Sequence, residues 1–333
     1  MNDNRRSFIK KTSVGALGIT LGMTAKSYAK ILGANDRVNV GVVGIRQQGF
    51  SHIRNYAVLD NVEVKALCDV DSRLFPERVE WLKDNAGTRP ETYGDIRKLL
   101  ENKDIDAISV ATPNHWHALA GIWAAQAGKH STLEKPGTHN VFEGRQLIRA
   151  AERYGVLIQH HAERRCYPGF KSAVEFLRQG GLGEVYLAKG LCYKWRDTIG
   201  KESESTVPKE VNYDLWLGPA QKRPFSPNRF HYNWHWHWDY GNGDMGNQGV
   251  HQMDIARWGL GVEHPIKISS MGGHFMFEDD QETPNTQMSV FEFDSSEGGG
   301  DKKKMLQFEV RHWISNHEGG IGEGGTNTIG NLF

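Results

Sequence analysis

Two rhythms of apolar and polar positions run along this chain. The first half carries short β-branched runs: RVNVGVVGI at 37–45, VEVKALCDVD at 62–71 and DAISVATP at 106–113. Each is short for a helix and runs into a turn marked by Gly, Asp or Pro, as strands buried on both faces do. Helical stretches separate them around 50–60 and 72–85. Further strands are expected in GKHSTLEKP (128–136) and YGVLIQHH (154–161), with a helix at NVFEGRQLIRAAERY (140–154) between them. Alternating strands and helices predict a doubly wound parallel sheet of Rossmann type. After residue 180 the period shortens to two. GEVYLAKGLCYKW (183–195), TQMSVFEFD (286–294) and KMLQFEVRHW (304–313) read as strands of an open, mostly antiparallel sheet with one covered face. A polar excursion at 196–230 is held by Trp216, and SSEGGGDKKK (295–304) reads as a hairpin loop.

The N-terminus follows neither rhythm. Arg5 and Arg6 open the order Arg-Arg-x-Phe-Ile-Lys, a weakly apolar run spans Val14 to Met23, and Ser27 and Ala29 have the spacing of a cleavage site. Residues 1–29 are therefore expected to be a twin-arginine export signal and the mature protein to be periplasmic or otherwise exported through that pathway. The apolar run is shorter than the ~20 residues of a membrane-spanning helix, so no stable membrane insertion is expected. The 40 basic and 40 acidic residues cancel, which removes the general field that nucleic-acid binding needs. Cys68, Cys166 and Cys192 are too scattered for a disulfide framework or zinc knuckle and are expected to be buried thiols.

Candidate chemistry collects at the strand ends, where an open parallel sheet binds its ligands. The first turn has Gly44, Arg46 and Gly49 where a dinucleotide loop has three glycines. Arg46 either faces the phosphates or weakens binding. Asp69 ends the second strand, where a carboxylate accepts the ribose hydroxyls of NAD and repels the 2′-phosphate of NADP. Thr112, Pro113 and Asn114 turn the chain after the third strand. His115 and His117 follow too closely to chelate from one helix face, so one is expected at the ligand and the other in packing. Glu134, Lys135 and Pro136 form a stiff turn in which a partly desolvated Lys135 could take up a hydroxyl proton.

Together GVVGI, LCDVD, VATPNHWHALAGIWAAQAGKH, LEKP and GDMGNQGVHQMD resemble the glucose-fructose oxidoreductase / inositol dehydrogenase / rhizopine-catabolism family of dehydrogenases. The likeness covers about residues 36–333. The export signal and NWHWHWDYGNGDMGNQGVHQMD are similar to an exported subgroup, itself similar to retaining glycosidases that hold NAD tightly. The resemblance implies an NAD-binding Rossmann domain (36–160) and a substrate and oligomer-forming α/β domain (161–333). It maps the family lysine to Lys135, and the Asp-x-x-x-His pair to Asn247 and His251. An amide cannot share a proton as a carboxylate does, so His251 needs another orienter, Asp254 or Asp244. His161 stands where the family has glycine, on the nicotinamide side, and the resemblance implies that Arg164 or Arg165 supplies the usual basic group. Members with this signal run longer, so the second domain is expected to be incomplete with an exposed edge.

The segment HYNWHWHWDYGNGDMGNQGVHQMD (231–254) adds the substrate side. Read as extended, it puts Trp234, Trp236 and Trp238 on one face and His235, His237 and Asp239 on the other. Tyr232, Trp234, His235 and His237 are candidate sugar contacts. Ligands two apart are a loose metal signal and hydride transfer to NAD asks for none, so no metal is expected. Gly243, Gly246 and Gly249 are expected to let backbone approach the nicotinamide, ahead of a helix starting near His251. The leading expectation is an NAD-dependent oxidoreductase of a carbohydrate or polyol. Its alternatives are a glycosidase or lyase working through transient oxidation at sugar C3, a non-catalytic sugar-binding protein and, last, a metal hydrolase.

Overall fold

The computed structural model describes residues 37–294, 302–312 and 327–333. The export-signal stretch and residues 295–301 of the hairpin loop lie outside the described residues. The first half is built on β1 (Val38–Val43), β2 (Val62–Cys68), β3 (Glu91–Tyr93), β4 (Ala107–Val110), β5 (His130–Leu133) and β6 (Ile158–His160). They form one sheet in the order β3-β2-β1-β4-β5-β6, with every recorded strand pair parallel. The short Glu91–Tyr93 strand was not foreseen, because three residues carry no readable period. Helices α1 (Gln47–Ala57), α2 (Phe75–Ala86), α3 (Ile96–Glu101), α4 (Asn114–Gln126) and α5 (Val141–Tyr154) cover the sheet.

The helix ends follow local chemistry. Asn140 caps α5 by accepting from the Glu143 N–H, and Gly155 at φ 64 closes it in the left-handed form. Gly87 at φ 64 closes α2, and Pro76 sits in its first turn, where its missing N–H costs nothing. Val42, Ile108 and Leu67 are fully enclosed between the helical layers.

The second sheet contains β7 (Leu187–Lys194), β8 (Lys267–Gly273), β9 (Thr286–Asp294), β10 (Lys303–His312) and β11 (Thr328–Leu332), in the order β11-β7-β10-β9-β8. It is mixed: β7 and β10 pair in parallel, while the other neighbours are antiparallel. Helices α6 (Pro168–Arg178), α7 (Tyr213–Leu217) and α8 (Val250–Leu260) complete this half. Ala256 and Leu260 of α8 pack on Phe308 and Val310 of β10, covering one face of the sheet. The Trp216 anchor is confirmed: the ring is buried among Tyr213, Phe225 and Tyr240. Its carbonyl accepts from Trp116 Nε1 at 3.0 Å and faces His115 Nε2 at 3.1 Å, which ties the excursion to α4. Cys68 and Cys192 are buried, but Cys166 is exposed because it ends a surface 3₁₀ turn.

Candidate active site

The order of the first sheet reverses direction between β1 and β4, which opens a crevice at their carboxyl ends. A cavity of about 460 Å³ lies there. Its floor is the turn after β1. Gly44 has φ +78, and a Cβ on it would lie 2.8 Å from the carbonyl carbon of Ala111 at the end of β4. Gly49 has no such freedom to spare either, since its Cβ would overlap the Gly44 oxygen at 1.8 Å. Gly44 lines the cavity and leaves backbone open where a pyrophosphate needs close approach, whereas Gly49 is buried and does not line it, packing α1 against the Gly44 carbonyl. Arg46 lines the cavity, and its Nη1 donates to the His231 carbonyl at 2.9 Å.

Asp69 lines the same cavity. Its carboxylate accepts from the Ile45 N–H at 2.8 Å and the Asp71 N–H at 3.0 Å. Burial pushes its carboxyl up to about 6, against the lowering effect of those two bonds. Asp71 behind it is held down to about 2: burial would raise it, but Arg73 and His231 outweigh that. The exposed glycine turn and the ribose-side carboxylate fit NAD. Gly44 and Arg46 would hold its pyrophosphate, Asp69 its adenosine ribose, and Thr112, Pro113 and Asn114 the nicotinamide end.

Glu134 and Lys135 project from the end of β5. Glu134 Oε1 accepts from Gln48 at 2.8 Å and lies 3.0 Å from His52 Nε2 and 3.1 Å from His161 Nδ1. Burial would raise this carboxyl, but the bonds from His161 and His52 hold it far below its ordinary value. Lys135 Nζ donates to the backbone oxygen of Asn247 at 2.8 Å and to Asn247 Oδ1 at 2.9 Å. Burial lowers its proton affinity, with Glu134 acting in the other direction.

His251, in the first turn of α8, lines the same cavity as Lys135. Burial brings its imidazole down to about 4, so it is neutral at pH 7. Neither orienter considered for it is free. Asp254 makes two 2.7 Å bonds to Arg165, and Asp244 is paired with Arg196 and His312. The carboxylate beside His251 is Glu163, with Oε1 3.5 Å from Nε2. Only its position shortly after β6, at the carboxyl edge of the sheet, could have pointed to it.

The Trp-rich segment is not extended. Asn233–Trp236 is a 3₁₀ turn, so strict alternation of faces fails there. Tyr232, Trp234 and His235 line the cavity, with the Trp234 and His235 rings stacked at a centroid distance of 3.6 Å. Burial lowers His235 to about 3. His237 does not line the cavity: its ring is buried, 3.3 Å from the Asn228 carbonyl. Asp239 is paired with Arg223 at 2.6 Å, which separates it from both histidines as a ligand set. Gly243 and Gly249 are needed for a different reason than cofactor approach, because Cβ atoms there would meet Thr283 and Phe308 of the second half.

Of the remaining candidates, Thr112, Pro113, Asn114, His117, Glu134, Lys135 and Asn247 line the cavity. His117 is also locked between the Pro136 carbonyl at 2.6 Å and the Thr112 carbonyl at 2.8 Å, joining the two turns. His161 stands behind Glu134, and neither it nor Arg164 nor Asp254 lines the cavity. Trp116 and Gln48, which do line it, carried no signal in the sequence beyond their neighbours.

Residues 38–161 match an oxidoreductase family's NAD-binding Rossmann fold, and residues 178–274 match the C-terminal alpha/beta domain of the same family. A glycosyl hydrolase family 109 protein of Shewanella pealeana is 31% identical over 172 residues, covering 46% of this chain and 38% of that protein. Its counterpart in Shewanella sp. strain MR-4 is 33% identical over the same coverage. The match thus spans well under half the length of these relatives. Among solved structures, GenD2 from gentamicin A biosynthesis in complex with NAD superposes with TM-score 0.62 at 19% identity, covering 83% of this chain and 66% of that one. The WlbA dehydrogenase from Bordetella pertussis, in complex with NADH and UDP-GlcNAcA, gives 0.61 at 19%, covering 83% and 72%. Myo-inositol 2-dehydrogenase from Lactobacillus plantarum gives 0.62 at 18%, covering 83% and 70%. At these identities the shared property is the fold.

Proposed function

The chain belongs to the glucose-fructose oxidoreductase / inositol dehydrogenase / rhizopine-catabolism family, with its NAD-binding Rossmann domain and C-terminal α/β domain, and from that premise we propose an NAD-dependent oxidoreductase acting on a carbohydrate or polyol hydroxyl. The carrying observation is Lys135, a desolvated amine lining the same cavity as His251, which the dinucleotide turn, Tyr232 and Trp234 also line. NAD, when bound, would supply a hydride acceptor. Lys135 takes the hydroxyl proton and its ammonium form stabilises the developing oxygen charge. Neutral His251 accepts a hydrogen bond from the sugar, and the aromatic side chains stack on its apolar face.

A second reading is favoured by the extra base next to His251. Glu163 and His251 stand 3.5 Å apart on one wall, more acid–base capacity than a simple oxidation requires. A sugar held as its 3-keto form has an acidic C2 proton. Removing it expels the group at C1, which takes up a proton. Water then adds its hydroxyl at C1 and a proton at C2, and the hydride earlier removed from C3, which NAD would hold meanwhile, would return the ketone to the alcohol. The likeness to glycosyl hydrolase family 109 proteins supports this route.

A panel of sugars, polyols and aryl glycosides separates the two. NADH accumulating with substrate is the expected result of net oxidation, and aglycone released without net NADH is that of the second route. Lys135→Met should lower either rate by about 10²–10⁴-fold. Folded, NAD-loaded protein that binds sugars and turns over none would instead mark a binding protein.

Residues 1–29 belong to the same proposal as a twin-arginine signal, with periplasmic function, supported by the order of Arg5, Arg6, Phe8 and Lys10. The exposed Ile268 and Met271 on edge strand β8 support a homo-oligomer through the second sheet. Cell fractionation and light scattering test these two readings, and cytoplasmic retention or a monomer mass would reject them.

A further inference from the structure

Lys135 is held by oxygen atoms that carry no charge. Both contacts of its Nζ come from Asn247, at 2.8 and 2.9 Å, and among the described residues no carboxylate forms an ion pair with it. The carboxylate behind the amide, Asp244, is buried and already committed: to Arg196 at 2.8 and 3.1 Å and to His312 at 2.7 Å. Burial would raise Asp244, but His312 and Arg196 overcome this and hold it ionised. Asn247 is a further partner of Asp244, its Nδ2 donating to Oδ1 at 3.1 Å. That bond decides which way the amide faces. Turned over, Asn247 would set its oxygen against a carboxylate and its NH₂ against an ammonium.

We propose that Asn247 sets the proton affinity of Lys135: oriented by Asp244, Arg196 and His312, its neutral oxygens position the amine without pairing its charge, and Lys135 is thereby the group that exchanges protons with the substrate hydroxyl. The last clause rests on the oxidoreductase reading, whereas the first does not.

The groups around Lys135 agree with this. Glu134 on the same turn is engaged by Gln48, His52 and His161. From the second half, Lys194 opposes the ammonium, while Asp244 favours it from behind the amide. Glu163 favours it from across the cavity, where it lies nearest His251, and His235 completes the wall. A carboxylate at position 247 would replace a neutral oxygen by an opposite charge at hydrogen-bond distance, which raises an amine by about one to three pH units.

The test reads the ionisation of Lys135 directly. Full-length protein is acylated with a water-soluble amine reagent across a pH series, and the modified peptide is quantified by mass spectrometry. No substrate is involved, so failure to find turnover on any sugar would count against the functional reading and leave this measurement standing. The wild-type midpoint should lie below that of an ordinary lysine. In Asn247→Asp it should rise by at least one unit, seen as about tenfold slower acylation at a pH below both midpoints. Because that variant sets two carboxylates side by side, Asn247→Ala provides the second arm: losing Oδ1 should lower the midpoint and speed acylation several-fold. A wild-type midpoint at the ordinary value, or an Asn247→Ala protein whose midpoint is unchanged or higher, would overturn the proposal.

Discussion

Asp69 shows how one residue can be readable in kind and still be altered by its surroundings. Its place at the end of β2 announces a ribose acceptor, but burial lifts its carboxyl to about 6, so its charge is lost within the range of ordinary assays. Only the ionised form repels a 2′-phosphate and accepts two hydroxyls well. NAD affinity, and its excess over NADP, should therefore grow about tenfold as pH rises from 5 to 7. In Asp69→Ala the ratio should stay flat. Calorimetric titration of both dinucleotides at the two pH values checks this, and a wild-type ratio insensitive to pH would refute it. Lys135 and Asp69 were legible because each is defined by its position on a strand end. Glu163 was not, since it meets His251 only after β6 and α8 are brought together.

At the level of elements, the turn after β1 is specified by contact rather than by motif. Arg46 takes the middle glycine's place without closing the loop, because its side chain leaves for the His231 carbonyl. Gly49 has no such latitude, with the Gly44 oxygen 1.8 Å from where its Cβ would stand. Gly49→Ala should push α1 off the turn, lower stability by about 1–3 kcal/mol and weaken NAD binding more than any other single alanine on that helix. Urea unfolding and cofactor titration of an alanine series along α1 would show it. An equal loss at Ser51 would count against the argument. The 231–240 segment taught the opposite lesson. Alternating Trp and His suggested an extended run, yet the chain folds into a 3₁₀ turn that buries Trp236 and His237 and leaves Trp238 exposed. Period-two alternation over so few residues cannot tell a strand from a tight turn whose large rings need a core.

The whole molecule stores many histidines in neutral form. Burial lowers His115 and His251 to about 4 and His235 to about 3, and His117, His160, His231 and His237 move the same way. A folded value below the unfolded ~6.5 favours the native state above that pH and loses the benefit as pH falls toward the folded value. Asp244 and Glu134, held low, add losses in the same direction once pH drops through the carboxylate range. Asp69, held high, works the other way, but it is one group against these seven histidines and two carboxylates. The melting temperature should fall steadily between pH 6.5 and 4, followed by calorimetry or circular dichroism. A constant melting temperature over that interval would contradict the burial of these rings.

What the sequence determined by itself is the Rossmann half and the chemistry on its strand ends. β-branched runs, glycine turns and the Glu-Lys-Pro corner are local signals, and a parallel sheet repeats them in chain order. Tertiary structure decided the rest. β7 lies parallel to β10 although more than a hundred residues separate them, and no pattern within either strand records its partner. Asn247 looked like the loss of a carboxylate. Packed beneath Lys135 and turned by Asp244, it becomes a neutral acceptor whose direction depends on Arg196 and His312. A side chain's type can be read along the chain, but the charge it feels is set by groups that only folding brings near.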